Sequence, residues 1–161
     1  MPAVVDISTL ATPFGEVAVA TSGGLIVRVY LPGATVPAGS PSVDSRRAAE
    51  EVSQFLAGTR THWGVEFAMP ETTPFRTAVW RALSEIPYGL TRTYGELAAH
   101  IGRPGAARAV GTACATNPLP LLVPCHRVVP ATGGTGSYAG GAEMKKVLLE
   151  MERTVSARAT S

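Results

Sequence analysis

Three prolines crowd the nine residues Asn117-Pro118-Leu119-Pro120-Leu121-Leu122-Val123-Pro124-Cys125. No regular helix passes through such a run, because each proline lacks an amide hydrogen and restricts the residue before it. The segment is expected to be stiff and extended, carrying Cys125 to a fixed position at the base of a pocket. Asn117 stands where a preceding helix must end, either as a cap or turn residue or as the group that orients the bend before Cys125. An imidazole follows the thiol directly, in Pro124-Cys125-His126-Arg127-Val128. A thiol attacks as its thiolate, and a reference pKa of about 8.5 leaves a free cysteine mostly protonated at neutral pH. A nearby histidine is the usual base. Adjacent residues on an extended strand point to opposite faces, so the pair has to sit on a bend or communicate through a water.

Composition narrows the class. With 161 residues, 45% hydrophobic and 16% charged, the chain can build one domain or two small ones. No stretch approaches the ~18 consecutive apolar residues of a membrane span, and Met1-Pro2-Ala3-Val4-Val5-Asp6 lacks the basic and apolar regions of a signal peptide. The expected location is the cytoplasm, with no membrane partner. Cys114 and Cys125 are the only cysteines, too few for a disulfide framework and outside any zinc-like cluster, so no metal is expected. The net charge of +2 is unevenly placed. Up to Ala68 four Arg oppose six acids, and beyond it ten basic residues oppose six. The excess of positive charge falls in the half holding the Cys-His pair, which points to a polyanion as partner.

The first part reads as β-structure with one helix. Glu16 to Ala20 and Leu25 to Leu31 are strand-like and flank the hairpin signal Thr21-Ser22-Gly23-Gly24, and Thr12-Pro13-Phe14-Gly15 marks an earlier turn. Leu31 to Ser45 reads as a mobile surface loop. A helix is expected from Arg46, with Ala48, Val52, Phe55 and Leu56 on one face and Gly58 as its stop. A further strand is expected from His62 to Ala68.

The second part reads as mainly helical. Thr73-Pro74 starts a helix with the stripe Phe75, Val79, Leu83 and Ile86, ended by Pro87 and Gly89. Thr93 and Glu96 form a capping box ahead of Tyr94, Leu97, Ala98 and Ile101. After Gly102-Arg103-Pro104 a third helix, about Gly105 to Thr116, is built from Ala106, Ala107, Ala109, Gly111, Ala113 and Ala115 around one long side chain, Arg108. Two short helices across a three- or four-residue turn containing glycine match a helix-turn-helix. The small residues serve close helix packing, or they let the helix press on a DNA groove with Arg108 entering the base stack. Tyr94 admits a matching pair of readings.

The run Gly133-Gly134-Thr135-Gly136-Ser137-Tyr138-Ala139-Gly140-Gly141 lacks the spacing and lysine of a phosphate loop. It suits close backbone approach to a flat ligand. A last helix, about Glu143 to Arg153, is expected to turn Met144, Val147, Leu148 and Met151 inward, with Thr154 to Ser161 a frayed tail. A carboxylate bound to one imidazole nitrogen leaves the other for the thiol. Spacing alone does not choose between Glu150 and Glu152.

Taken together, residues Phe75 to Glu152 resemble the O6-alkylguanine-DNA alkyltransferases. The resemblance is carried by Phe75-Arg76-Thr77-Ala78-Val79-Trp80, Ile86-Pro87-Tyr88-Gly89, Thr93-Tyr94-Gly95-Glu96, Ala106-Ala107-Arg108-Ala109-Val110-Gly111, Asn117-Pro118 to Val128, and Gly136-Ser137-Tyr138-Ala139-Gly140-Gly141. Thr12-Pro13-Phe14-Gly15 extends it weakly toward the N-terminus. It implies an α/β protein, with residues 1–68 a small ribonuclease-H-like sheet-plus-helix domain. Residues 69–161 would be a helical DNA-binding and alkyl-acceptor domain with a winged helix-turn-helix.

The resemblance implies that Cys125 accepts an alkyl group from O6-alkylguanine, and less efficiently from O4-alkylthymine, in one irreversible step. His126 would act as base through a water, Glu152 would orient it, and Asn117 would hold the turn. Tyr94 would assist extrusion of the nucleotide and donate a proton. Arg108 would fill the vacated stack from a helix lying in the minor groove, with Ala107, Ala109 and Gly111 beside it. Pro120, Val128, Tyr138 and Ala139 would line the pocket of the flipped base. Flipping has to precede attack, since an alkyl carbon inside a duplex is unreachable. The expected partner is double-stranded DNA bound by a monomer, without a cofactor. Cys114 is expected to be a small core residue.

Overall fold

The computed structural model describes residues 5–160, and these fall into two compact units dividing between Pro70 and Glu71. Met1 to Val4, most of the stretch read as lacking a signal peptide, and Ser161, the end of the expected tail, lie outside the described residues.

The first unit is an antiparallel sheet with one helix. Strands β1 (Asp6–Thr12), β2 (Gly15–Ser22) and β3 (Leu25–Tyr30) pair in sequence order. The β2–β3 connection is the expected two-glycine turn, with Gly23 and Gly24 at φ +58° and +83°, the left-handed conformation that primed hairpin turns require. Strand β1 was not expected from its sequence. Its apolar and polar residues alternate only loosely, and pairing with β2 from Asp6↔Thr21 to Thr12↔Gly15 supplies what its pattern lacks. Helix α1 (Val43–Leu56) begins three residues before the expected Arg46. Ser42 and Ser45 cap it reciprocally, and Ser45 also meets Ser8 on β1 at 2.7 Å. The expected loop is shorter accordingly. Val17, Val19, Ile26, Val52 and Phe55 form the core, each 1% exposed or less.

The strand expected at His62 to Ala68 is not formed. Only Phe67 bridges to Ile26, with the Ile26 and Ala68 amides donating to Glu66 and Ile26 carbonyls. Trp63 stacks on Phe55 at 4.9 Å, and Glu51 takes the Gly64 and Val65 amides. Those contacts draw the first half of the segment away from a ladder.

The second unit contains helices α2 (Pro74–Ser84), α3 (Tyr94–His100), α4 (Ala107–Ala115) and α5 (Ala142–Thr160). Thr73 caps α2 with proline at its start, and the Thr93/Glu96 capping box opens α3. Residues 101–106 connect α3 to α4, a longer turn than expected, since α4 begins only at Ala107 and has no side-chain cap. Trp80 Nε1 donates to the Ala113 carbonyl at 2.9 Å, tying α2 to α4. Two-residue strands β4 (Arg92–Thr93) and β5 (Val128–Val129) pair in parallel. This sets the residues after the Cys-His pair beside the start of α3.

Helix α5 overturns two expectations. It continues through Thr160 where a frayed tail was expected from Thr154. It is also rotated from its apolar stripe. Met144 and Leu148 are buried, but Val147 is 37% exposed, and Lys145, Leu149 and Glu152 point inward instead. An apolar pattern alone cannot foresee a lysine and a glutamate on the covered face.

Candidate active site

The proline-rich segment is folded back rather than extended. Leu121 takes φ +78°, the only positive φ among the described non-glycine residues, and the Val123 amide donates to the Leu119 carbonyl at 2.8 Å. Asn117 holds this reversal from both sides. Its Nδ2 donates to the Val123 carbonyl at 2.8 Å and its Oδ1 accepts from the Leu119 amide at 2.9 Å. The prolines still exclude a regular helix, but a tertiary tie from Asn117 selects a turn over an extended run. Pro120, Leu121 and Val123 are all buried within it.

The turn delivers Cys125 to a short 3-10 helix, Cys125–Arg127. At three residues per turn, successive side chains diverge by about 120° rather than 180°, so thiol and imidazole leave the backbone from one bend. Cys125 is 8% exposed and His126 and Glu152 are 0% and 1% exposed. His126 Nε2 lies 2.6 Å from Glu152 Oε2, whereas Glu150 is exposed. The same carboxylate accepts from Arg127 Nε at 2.8 Å, from Arg127 Nη2 at 3.0 Å and from the Gly89 amide at 3.0 Å. Arg127 Nη1 donates to the Ile86 carbonyl at 2.8 Å, and its guanidinium lies over the Tyr88 ring at 5.4 Å.

These contacts set the protonation states. Burial alone would raise the Glu152 carboxyl, but the hydrogen bonds from His126 and Arg127, with their charges, bring it down to about 2. An ionised carboxylate only accepts, so His126 Nε2 is the donor and the lone pair of the neutral ring lies on Nδ1. Burial lowers the His126 pKa, opposed by Glu152 and assisted by Arg127 and Lys145. Burial pushes the Cys125 thiol up, with the Asn117 side chain and the Lys145 ammonium working against it. The resting group is therefore a thiol that needs a base to react.

Lys145 and Arg127 are site residues that sequence reasoning passed over. Lys145 is fully buried, with Nζ 3.3 Å from the Ser137 carbonyl, 3.5 Å from Tyr94 Oη and 5.7 Å from the Tyr94 ring centre. The signal for it was its place one turn from Leu148 and Leu149 on α5. Arg127 adjoins the Cys-His pair in the chain, which was signal enough.

Tyr94 is half-buried at the start of α3, and burial, with Cys114 and Cys125 nearby, raises its phenol. Its ring packs near Gly111, where an added Cβ would meet it at 3.8 Å. On α4, Val110 and Ala113 face inward, while Arg108, Ala109, Thr112 and Ala115 are exposed and Ala107 and Gly111 are half-buried. Val128 is fully buried, and the Tyr138 ring meets His126 edge-on at 6.4 Å with its phenol oxygen buried. Ala139 is exposed on the glycine-rich loop. Burial raises Cys114 to about 12, leaving it an unreactive thiol. A groove of about 620 Å³ belongs wholly to the first unit, between β1, residues 36–41 and α1. It holds none of these groups.

Known proteins share this arrangement of segments. A family model for the DNA binding domain of 6-O-methylguanine DNA methyltransferase matches residues 74–154. A methylated-DNA–protein-cysteine methyltransferase of Mycobacterium tuberculosis is 40% identical over 152 residues, 91% of each chain. One from Methanosarcina acetivorans is 49% identical over 107 residues, 66% of this chain and 68% of its own. A crystal structure of Mycobacterium tuberculosis OGT in complex with DNA matches with a TM-score of 0.85 at 38% identity, covering 94% of both chains. Identity of this order across both units, with the family model spanning the segments that build the Cys125 site, places this chain in the 6-O-methylguanine DNA methyltransferase family.

Proposed function

We propose that the chain repairs O6-alkylguanine, and less efficiently O4-alkylthymine, in duplex DNA by moving the alkyl group irreversibly to Cys125 after the damaged nucleotide is flipped. One observation carries this reading. A buried thiol sits on the bend before His126, whose Nε2 is held 2.6 Å from an ionised Glu152. In the proposed sequence His126 Nδ1 takes the Cys125 proton through a bridging water. The thiolate attacks the alkyl carbon, the C–O bond breaks toward the guanine, and the Tyr94 phenol donates a proton to the leaving base. The product thioether has no easy route back to thiolate, so each molecule acts once. The displacement is complete with these groups and needs no cofactor.

Residues 69–161 form, in this reading, the DNA-binding and alkyl-acceptor domain, with α3 and α4 as a winged helix-turn-helix entering the minor groove. Arg108, with Ala107, Ala109 and Gly111 around it, takes the place of the extruded nucleotide, as its exposed position on a low-relief helix supports. Val128, Tyr138, Ala139 and Pro120 receive the base, and Asn117 fixes the turn. Residues 1–68 form a ribonuclease-H-like domain. The protein works as a cytoplasmic monomer.

The test is incubation with a duplex carrying O6-methylguanine, followed by mass spectrometry of the Cys125 peptide. Stoichiometric methylation confined to Cys125 is expected, and none in Cys125→Ser. An unmodified Cys125 alongside tight lesion binding would replace the reading with a non-catalytic lesion sensor. Repeated turnover would replace it with a Cys-His hydrolase.

A further inference from the structure

Three residues of the turn Ile86-Pro87-Tyr88-Gly89 converge on Arg127 and Glu152. The Ile86 carbonyl accepts from Arg127, the Tyr88 ring lies under the guanidinium, and the Gly89 amide donates to Glu152. Gly89 takes φ +87°, and a Cβ there would collide with Ser156 on α5. The turn is thus shaped to bring a backbone amide against the carboxylate. We infer that Arg127, seated on this turn, is a positioning residue that neutralises Glu152 and so keeps His126 an uncharged base with its Nε2 protonated.

The argument is one of charge balance in a closed site. A buried carboxylate requires a compensating cation. If His126 were its sole partner, the stable pair would be carboxylate and imidazolium, and an imidazolium cannot take a proton from a thiol. Arg127 supplies the cation instead, through two parallel N–H···O bonds that a carboxylate accepts well. Oε1 then receives Gly89 N and Arg127 Nε, and Oε2 receives Arg127 Nη2 and His126 Nε2. Among the groups facing the ring, the Glu152 anion favours the imidazolium, and the Arg127 and Lys145 cations favour the neutral form. From α5 come the Glu152 anion and the Lys145 cation, beside it in the chain lie Arg127 and the Cys125 thiol, and from the glycine-rich loop comes the Tyr138 ring. Tyr88 stands behind Arg127. Burial, with Arg127 adding to it against Glu152, lowers the His126 pKa.

The inference rests on the reading of Cys125 as acceptor, and the experiment separates the two. The His126 imidazole nitrogens are followed by ¹⁵N NMR against pH in the full chain, with the rate of Cys125 methylation measured over the same range. Wild type is expected to show, at pH 7, a protonated-type shift at Nε2 and an unprotonated-type shift at Nδ1. In Arg127→Gln, which keeps an N–H donor but removes the charge, the titration midpoint should rise by about one pH unit or more. Its methylation rate at pH 7 relative to pH 9 should then fall about tenfold against wild type, and Arg127→Lys should recover most of that loss. A wild-type imidazolium or Nδ1–H ring at pH 7 overturns the inference, whether or not Arg127→Gln folds. So does an Arg127→Gln ring that titrates as wild type while the rate drops equally at every pH. If wild type takes no methyl group, the acceptor reading fails, and the ring titration still decides the role of Arg127.

Discussion

The two units bury polar groups in opposite ways. In the first, the covered polar residues are the hydroxyls of Ser8, Thr21 and Ser45 and one carboxylate, Glu51. Ser8 and Ser45 bond each other, Ser45 caps α1, and Glu51 accepts the Gly64 amide at 2.7 Å. Ser45 and Glu51 thus satisfy backbone amides, and the Ser8–Ser45 bond ties the helix to the sheet. In the second unit, His126, Arg127, Lys145 and Glu152 are all buried, at 0%, 7%, 0% and 1% exposure. A buried ion pair is no more stabilising than well-packed apolar residues of similar volume, so stability alone does not explain such a cluster. The proposed chemistry would, because burial beside charged partners shifts protonation states further than an exposed site does. The contrast separates polar burial that serves the fold from polar burial that, under the proposed function, serves a thiol.

Matched substitutions at the two buried glutamates test the contrast most severely. Glu152→Gln leaves the Arg127 guanidinium buried opposite a neutral amide, and breaking a buried pair from one side costs about 3–5 kcal/mol. Methylation of Cys125 should slow by about 10²-fold or more, since the orienting group of the base is lost. Glu51→Gln keeps an oxygen for the Gly64 amide and gives up only the Arg60 pair at 3.5 Å, whose arginine is 30% exposed. That pair is worth about 1 kcal/mol or less, and the methylation rate should not change. Urea denaturation and single-turnover rates decide it. Equal losses at the two sites would dissolve the distinction.

Acid should act on the second unit through Glu152. Its pKa falls from 4.5 to about 2 on folding, so the folded state favours the anion. The resulting stability is present above pH 4.5 and is lost as pH falls through 4.5 toward 2, amounting to about 3 kcal/mol. His126, whose pKa is also lowered by burial, adds a loss of the same sign as pH drops through its unfolded value of 6.5. Denaturant midpoints of wild type and Glu152→Gln measured from pH 7 to pH 3 should converge. Parallel curves would show that Glu152 does not carry the acid sensitivity.

Local signals made much of this molecule readable in its sequence. Thr73-Pro74 and the Thr93/Glu96 box start helices where expected, and Gly23-Gly24 turns the hairpin. Those devices act within four residues and depend on no distant partner. What escaped was decided at long range. The strand expected at 62–68 gives way to contacts with α1, and α5 turns a lysine and a glutamate inward because Tyr94, His126 and Arg127 await them. Cys125 and His126 could be picked out from type and adjacency alone. Glu152 could not be separated from Glu150 by spacing, since the choice depends on which face of α5 the turn at Gly89 meets.

The smallest expected effect comes from comparing two chain reversals. In the first unit Thr12 Oγ1 accepts from the Phe14 amide at 3.1 Å and donates to the Gly15 carbonyl at 2.6 Å, on an exposed turn where water replaces lost bonds. Thr12→Ala should cost about 0.5 kcal/mol or less. In the second unit Asn117→Ala orphans the Leu119 amide and leaves the Val123 carbonyl with the Cys125 amide as its remaining donor, both on residues with no exposed surface. It also releases the constraint that keeps Leu121 at φ +78°, a conformation that persists only where its surroundings over-determine it. A loss of about 2 kcal/mol follows. Because Cys125 begins two residues after Val123, the same change should slow methylation of Cys125 as well as lower the thermal midpoint, whereas Thr12→Ala should leave the rate alone. A rate unchanged in Asn117→Ala would mean that the 3-10 turn at Cys125 holds its shape without the asparagine, and that the proline-rich reversal supports the fold rather than the thiol.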